Sequence, residues 1–271
     1  CDPALFEFPG IARQFLGPWL IENLSRGSTI GFDPWLHTAG EIERLAQALA
    51  PKGLKLKPVP RNLVDRVWGK ARPKPPQSPI RPHPEPLAGR SAADKIAAIQ
   101  KTLETSGQDA AVLTLPDSIA WAFNIRGADV AHNPVTLAFA VVPAKGKAEL
   151  YVDPAKVTTD ARAHLAPVAK LLTPDRLAER LKALKDGKKR VRLDPETAAF
   201  AFTRALGPKG WVRGGDPSTA MKAIKTKAEI EGARAAHVRD GAAMARFLAW
   251  LDKEAPVGGI DEIAAVEKLE A

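Results

Sequence analysis

A dense run of prolines between residues 73 and 86 sets the tightest limit on how this chain can fold. The run holds seven prolines in fourteen residues, namely Pro73, Pro75, Pro76, Pro79, Pro82, Pro84 and Pro86. Because proline fixes its φ angle and lacks an N–H donor, the run cannot form a helix or a central strand and favours an extended path. It predicts an exposed, protease-sensitive tether that joins two folded parts and cannot join a sheet. His83 within it is expected to be a linker residue and not a metal ligand.

Positive charge is concentrated around the same run. The chain carries a formal net charge of +9, and residues 55–90 hold nine lysines and arginines against two acidic residues, a net +7. A surface for single-stranded nucleic acid would add aromatic side chains for base stacking, but Trp68 is the one aromatic residue of this stretch. We therefore expect a solvated basic linker and no nucleic-acid partner.

Composition also limits where the protein acts. The chain is 45% hydrophobic, an ordinary value for a globular protein. It has no run of about 18 consecutive apolar residues, so no membrane span and no membrane partner are expected. The single cysteine, Cys1, cannot form an internal disulfide, which predicts a reducing compartment, the cytoplasm.

The residues before the proline run have the pattern of an α/β domain. Strands are predicted at 28–32 and 54–59, and between them Thr38-Ala39-Gly40-Glu41 fits a capping box that starts a helix. Trp35 and His37 precede this helix, and we expect them to pack and cap there instead of taking part in chemistry.

After the run, helices and strands alternate. The pattern predicts a helix from Ser91, an antiparallel hairpin ending at 148–152, a helix capped by Thr173-Pro174-Asp175, a strand at 191–193 and a helix from Asp194 to Leu206. This alternation predicts a mixed sheet covered by helices.

Within that part, the stretch from Leu115 to Val135 is crowded with hydrogen-bonding side chains. It lies between predicted strands at 110–113 and 136–142, and a polar loop held between two buried strands is a common place for function. The same residues also permit a structural interpretation, in which Asn124 and Asn133 fix turns, Asp129 pairs with Arg126, and His132 is a surface side chain. The residues alone leave both interpretations open.

A second boundary is predicted near Gly214-Gly215. Beyond it, Thr226 caps a long helix whose apolar face includes His237. A lone histidine on such a face is expected to be a hydrogen-bonded packing residue, not a metal ligand. Another amphipathic helix begins at Asp261, so the core of this part is expected to be incomplete within the 271 residues.

Four blocks, in order along the chain, resemble the three-domain Xaa-Pro aminopeptidases of the metallopeptidase family with a pita-bread catalytic domain. The blocks are Gly31-Phe32-Asp33-Pro34-Trp35-Leu36-His37-Thr38, Leu87-Ala88-Gly89-Arg90-Ser91-Ala92-Ala93-Asp94-Lys95, Asp117-Ser118-Ile119-Ala120-Trp121 with Asn124-Ile125-Arg126-Gly127 and His132-Asn133-Pro134-Val135, and Lys222-Ala223-Ile224-Lys225 with Glu229-Ile230-Glu231-Gly232. The resemblance implies an α/β fold in four parts. These are the end of a first creatinase N-terminal-like domain (1–65), a basic linker (66–90), a complete middle domain of the same kind (91–214) and the first helices of the catalytic domain (215–271).

The resemblance also implies a chemistry. Family members hold two divalent metal ions, expected to be manganese, on two aspartates, one histidine and two glutamates, and act as homodimers on peptides with proline at the second position. The family's motif resembling Asp-x-Gly-x-x-Tyr-x-Asp-Gly has no counterpart here. We therefore assign no catalytic or metal-binding residue and expect this chain alone to bind no metal and to be inactive. Five residues are candidates for a domain contact or an active-site rim: Asn124, Arg126, Asp129, His132 and Asn133.

Two alternatives stay open at this point. The chain could belong to a relative that kept the scaffold and lost the chemistry, as the aminopeptidase-like domain of a histone chaperone does. It could also belong to another pita-bread enzyme such as a prolidase or creatinase, although these usually have one domain before the catalytic one.

Overall fold

The computed structural model describes residues 15–270, so Cys1 lies outside the described residues. It divides into two compact units. The larger consists of Cys1–Pro82 and Ala92–Lys222, and the smaller of His83–Ser91 and Ala223–Ala271. The four-part division implied by the family resemblance stays a prediction.

Helices and strands alternate along the described residues. The helices are α1 Leu16–Asn23, α2 Ala39–Leu49, α3 Leu63–Trp68, α4 Glu85–Ala88, α5 Ala92–Thr105, α6 Pro116–Ala122, α7 Thr159–Leu165, α8 Arg176–Asp186, α9 Phe200–Leu206, α10 Thr219–Ala223, α11 Lys227–Glu254 and α12 Glu262–Glu270. The strands are β1 Thr29–Phe32, β2 Lys55–Pro58, β3 Arg81–Pro82, β4 Ala110–Leu113, β5 Ile125–Arg126, β6 Phe139–Pro143, β7 Ala148–Tyr151, β8 Ala169–Leu172, β9 Val191–Leu193 and β10 Trp211–Arg213.

A mixed six-stranded sheet forms the centre of the larger unit. Its strand order is β10-β9-β4-β6-β7-β8, with β6 antiparallel to both β4 and β7 and the remaining neighbours parallel. The antiparallel β6–β7 pair is the predicted hairpin. Parallel neighbours need crossover connections, and the helices between the strands supply them.

Side chains alternate between the two faces of this sheet, and each face is covered by helices. On one face, Leu113 and Val142 pack with Ile96 and Ile99 of α5 and Ile119 of α6. On the other face, the buried residues come from four strands and from α8 and α9, among them Val112, Val141, Tyr151, Val191, Leu193, Leu177, Leu181, Leu184, Phe202 and Leu206. The predicted mixed sheet covered by helices is confirmed.

The early α/β segment is hydrogen-bonded to the sheet-bearing part. Strands β1 and β2 pair in parallel, and Thr38 and Glu41 make the predicted capping box at the start of α2. An isolated bridge joins Thr38 to Ala199, just before α9. Trp35 packs edge-on against Phe202, with ring centroids 5.5 Å apart. The packing role expected for Trp35 is therefore confirmed.

The proline-rich segment departs from its predicted form. Its second half joins a sheet, since β3 pairs antiparallel with β5, and Ile80 beside it is fully buried. The amide N–H of Ile80 donates to the carbonyl oxygen of Lys156 at 2.8 Å. The expectation that this segment cannot join a sheet was wrong, because a two-residue edge strand tolerates the missing donor of Pro82.

Two predicted element boundaries were also wrong. The helix expected from Asp194 starts at Phe200, because Asp194 accepts hydrogen bonds from Glu196 and Ala198 and holds the chain in a turn. The strand expected at 136–142 starts at Phe139. The backbone N–H of Leu137 donates instead to the Asp129 side chain.

The smaller unit contains the predicted long helix. Thr226 and Glu229 form a capping box at the start of α11, and the Thr226 hydroxyl also donates to the Ala88 carbonyl. Gly89 follows with φ +66°, and a Cβ atom there would clash with the Thr226 hydroxyl oxygen. No residue of α11 is buried within the described part of the chain.

His237 was expected on a packing face of this helix. The structure leaves it exposed, with Nδ1 2.8 Å from the carbonyl oxygen of Ala233. The expectation that His237 is hydrogen-bonded is confirmed, whereas the expectation that it packs was wrong for this chain.

Candidate functional site

The candidate site is the loop from Asn124 to Leu137 together with the residues that support it. Asn124 ends the turn after α6 in a left-handed conformation, φ +49°, which asparagine tolerates better than most residues. It is 2% exposed, and its Oδ1 accepts a hydrogen bond from Lys95 Nζ at 2.7 Å. The ammonium group also donates to the Trp121 carbonyl and lies 4.4 Å from the centre of the Trp121 ring.

Arg126 follows on β5 and holds the chain to the helix before it. Its Nη1 donates to the carbonyl oxygens of Ala120, at 3.1 Å, and Ile125, at 2.9 Å. Ala120 belongs to α6, so this hydrogen bond joins β5 to the helix before it. The backbone of Arg126 pairs with Arg81, which attaches the proline-rich segment to the candidate site.

Asp129 is the most buried charged group of the loop. Its side chain is 0% exposed and pairs with Lys156, whose side chain is 5% exposed, at 2.7 Å. The same carboxylate accepts hydrogen bonds from the backbone N–H of Leu137 at 2.7 Å and of Ser78 at 3.1 Å, and from the Thr136 hydroxyl at 3.1 Å. One carboxylate therefore joins the proline-rich segment, the polar loop and the turn that carries Lys156.

Electrostatics favour the ionised form of Asp129. Burial by itself raises the pKa of its carboxyl, but the hydrogen bond from Lys156 and the N–H groups of Leu137 and Ser78 outweigh burial and leave the pKa below its usual value. The structural interpretation of the sequence paired Asp129 with Arg126 and did not include Lys156.

The distal part of the loop faces solvent. His132 and Asn133 are both exposed, and His132 has φ +58°. A bridge between Val130 and Asn133 closes the turn, and Gly127 allows the two arms to approach. A Cβ atom at Gly127 would lie 2.9 Å from the Val135 carbonyl oxygen.

The structure thus divides the five candidate residues into three groups. Asn124 and Asp129 are buried supports, Arg126 is a partly buried brace, and His132 and Asn133 are presented at the surface. The sequence reasoning missed the two buried lysines, Lys95 and Lys156. Lys95 lies four residues before Ile99 on the buried face of α5, and this position indicated that its side chain would be buried.

The described residues do not fit a metal centre. Across residues 15–270, no group of three or more histidine, cysteine, aspartate and glutamate side chains is arranged to hold a metal ion. A dinuclear site needs several carboxylates that converge on one cavity. The candidate site offers one carboxylate, Asp129, and Lys156 already neutralises it.

The model of the creatinase/prolidase N-terminal domain family matches residues 71–229, which is more than half of the chain. The chain belongs to this family. The match includes the whole proline-rich segment, the whole polar loop and the main sheet. No helix within residues 15–270 is both long and apolar enough to cross a bilayer.

Fungal relatives that match nearly the whole chain share one name. The chain is 37% identical over 262 residues to a probable Xaa-Pro aminopeptidase P of Aspergillus flavus, covering 93% of this chain and 40% of that protein. The same identity is found with the corresponding protein of Penicillium rubens, of which 42% is covered. The chain therefore spans about two-fifths of the length of the relatives that it matches.

Solved structures show the same fold. The X-prolyl aminopeptidase of Caenorhabditis elegans, a cytosolic enzyme with a di-nuclear active site, matches with TM-score 0.84 and 31% identity over 94% of this chain and 42% of that one. An Xaa-Pro dipeptidase of Bacillus anthracis matches 66% of this chain with TM-score 0.52 and 18% identity, a likeness of fold alone.

Proposed function

We propose that this chain is the platform of a longer, metal-dependent Xaa-Pro aminopeptidase, which hydrolyses the N-terminal peptide bond preceding proline. The observation that carries the proposal is the 37% identity along 93% of this chain to proteins of that name, of which the chain covers 40%. In this proposal the chain contributes the end of a first domain, the basic linker, the middle domain and the first helices of a pita-bread catalytic domain.

The metal ions of the longer enzyme are proposed to be two manganese ions held by residues outside this chain. The proposal of two ions is supported by the description of the Caenorhabditis elegans enzyme as di-nuclear. The description of that enzyme as cytosolic supports a cytoplasmic location. The single cysteine of this chain is consistent with the same location.

The candidate loop is proposed to touch the catalytic domain at the rim of its active site. Asn124, Arg126 and Asp129 would hold the loop, and His132 and Asn133 would make the contact. A buried, four-fold hydrogen-bonded Asp129 suits this task because a rigid support keeps an exposed tip in one place.

One assay tests the activity. An Arg-Pro-Pro peptide is incubated with manganese and either the 271-residue chain or the longer protein, and the products are separated by mass spectrometry. We expect the longer protein to release arginine in a chelator-sensitive manner and this chain to leave the peptide intact. An inactive longer protein that retains the fold would favour a non-catalytic binding module, and cleavage of dipeptides alone would favour a prolidase.

Loop variants of the longer protein test the proposed rim. His132→Ala with Asn133→Ala should lower kcat/KM while the melting temperature stays unchanged, because both side chains are exposed here. Lys170→Ala, on the exposed side of β8, is the matched surface control and should change neither quantity. A double variant with wild-type kcat/KM would contradict the placement of the loop at the active-site rim.

We also propose that the longer protein assembles as a homodimer. Sedimentation velocity of the longer protein tests this proposal.

A further inference from the structure

A cavity of about 530 Å³ on the larger unit combines three arginines with apolar walls. It is lined by residues that precede α2, residues around the start of α3 and Arg204 near the end of α9. The arginines are Arg61, Arg66 and Arg204, all exposed. Within residues 15–270, none of their guanidinium groups has a hydrogen-bond or ion-pair partner.

The two carboxylates in the cavity wall are already engaged. Asp33 accepts hydrogen bonds from the Asn62 side chain at 2.7 Å and from the Trp35 N–H at 2.8 Å. Asp65 pairs with Arg72 at 2.7 Å. Among the described residues, 15–270, the three cations therefore face the cavity without a neutralising group.

The helix beside the cavity exposes aliphatic side chains instead of burying them. On α3, Leu63 is 65% exposed, Val64 64% and Val67 90%. Contiguous exposed apolar groups rimmed by charge mark interaction surfaces more often than they occur by chance on a monomer. Arginine beside such groups is typical of protein–protein interfaces.

We propose that this surface binds an acidic polypeptide segment in which carboxylates alternate with apolar side chains. The planar guanidinium fork matches a carboxylate through two parallel hydrogen bonds, and three forks around one cavity can hold spaced carboxylates. The exposed face of α3 takes the apolar side chains between them. Complementary charge and apolar contact together identify the partner.

The same features disfavour a nucleic acid. A nucleic-acid strand carries a phosphate at each nucleotide and offers few apolar groups to the exposed side chains of Leu63, Val64 and Val67. Aliphatic side chains offer no stacking platform for bases, and the oligothymidylate arm of the test below covers the half-exposed ring of Trp35 in the cavity wall.

The test measures binding of fluorescein-labelled Asp-Leu-Glu-Phe-Asp-Leu-Glu to the 271-residue chain by fluorescence anisotropy. Its neutral counterpart is Asn-Leu-Gln-Phe-Asn-Leu-Gln, of nearly identical shape. We expect the acidic peptide to bind at least about tenfold more tightly than the neutral one, with an affinity that falls as salt rises.

Matched variants locate the site. Replacing the three cavity arginines, Arg61→Gln, Arg66→Gln and Arg204→Gln, should weaken acidic-peptide binding at least about tenfold. Three exposed arginines elsewhere serve as the charge-matched control, Arg162→Gln, Arg239→Gln and Arg246→Gln, and should change it less than about twofold. Leu63→Ser with Val67→Ser should weaken binding of both peptides. Unchanged thermal melts establish that each variant is folded.

Four results would overturn the proposal. They are equal binding of the neutral peptide, an unchanged affinity in the cavity triple, tighter binding of an oligothymidylate than of the acidic peptide, and self-association of the chain that the cavity triple abolishes. The third would assign the surface to a nucleic acid, and the fourth to a second copy of this chain.

Discussion

Helices α8 and α11 share an amphipathic pattern but differ completely in burial. On α8, Leu177, Leu181 and Leu184 are 3–4% exposed against the main sheet. On α11, Met244 is 44% exposed and Leu248 50% exposed, and no residue of the helix is buried. The spacing of the apolar residues along the sequence determines which side of each helix is apolar. Whether that side is buried depends on whether another element packs against it.

The comparison separates two sources of helix stability. α8 is held by packing, which supplies most helix stability in folded proteins. α11 has its capping box and its own backbone hydrogen bonds, and its described neighbours within the smaller unit include α4 and α12. Changes in the sheet-bearing unit should therefore have large effects on global stability, and changes on α11 small ones.

The largest effect is expected at the buried pair of the sheet-bearing unit. Asp129→Asn leaves the Lys156 ammonium buried without a counter-charge and should lower the free energy of unfolding by about 3–5 kcal/mol. Urea denaturation followed by circular dichroism measures this change. Asp109→Asn, which breaks the exposed pair with Lys189, is the control and should lower it by about 1 kcal/mol or less. Equal decreases in the free energy of unfolding of the two variants would mean that burial does not determine how much an ion pair contributes to stability.

The same pair gives a pH dependence. Because the folded-state pKa of Asp129 is below the usual aspartate value of 3.8, its contribution to stability is fully present above that pH. The contribution is lost as pH falls from 3.8 through the lower folded-state pKa. Urea titrations over this range should therefore show a smaller acid-induced loss for Asp129→Asn than for the wild type. A larger loss in the variant would contradict the sign of the shift.

A truncation on each helix sharpens the comparison directly. Leu181→Ala should lower the free energy of unfolding by about 2–5 kcal/mol, because it leaves a cavity under the sheet. Leu248→Ala removes the same atoms from an exposed position and should change it by about 0.5 kcal/mol or less. Similar values from urea denaturation would show that the α11 face is covered in this chain.

A smaller effect is expected from the two capping boxes, which have the same chemistry. Thr38→Ala at the start of α2 should lower the free energy of unfolding of the sheet-bearing unit by about 1 kcal/mol. Thr226→Ala at the start of α11 should reduce helicity at 222 nm and leave that transition unchanged. A shifted main transition in Thr226→Ala would mean that α11 unfolds together with the sheet.

Local pattern was enough to predict most of the fold. The strands at 110–113 and 191–193 have the predicted bounds, and the capping boxes at Thr38 and Thr226 are present. Two of the errors arose where a distant group competed with local preference. The buried Asp129 carboxylate takes the N–H of Leu137 out of the expected strand, and Ile80 anchors a segment whose prolines indicated an exposed tether.

The candidate site was predicted less completely than the fold. The motif around Asn124 and Asp129 located the loop, but the partners of these residues, Lys95 and Lys156, are 29 and 27 residues away in the sequence. A pairing over such a distance depends on how elements pack. Spacing within the motif favoured Arg126 as the partner of Asp129 and gave no indication of Lys156.

Hydrogen–deuterium exchange of α11, followed by mass spectrometry, tests the central claim that this chain is the platform of a longer enzyme. In the 271-residue chain, amides of α11 should exchange fast, because few apolar contacts protect them, while β4 and β6 exchange slowly. In the longer protein, α11 should become as protected as the sheet, and β4 and β6 should stay unchanged. Identical exchange of α11 in both proteins would contradict the claim that the rest of the enzyme packs on this platform.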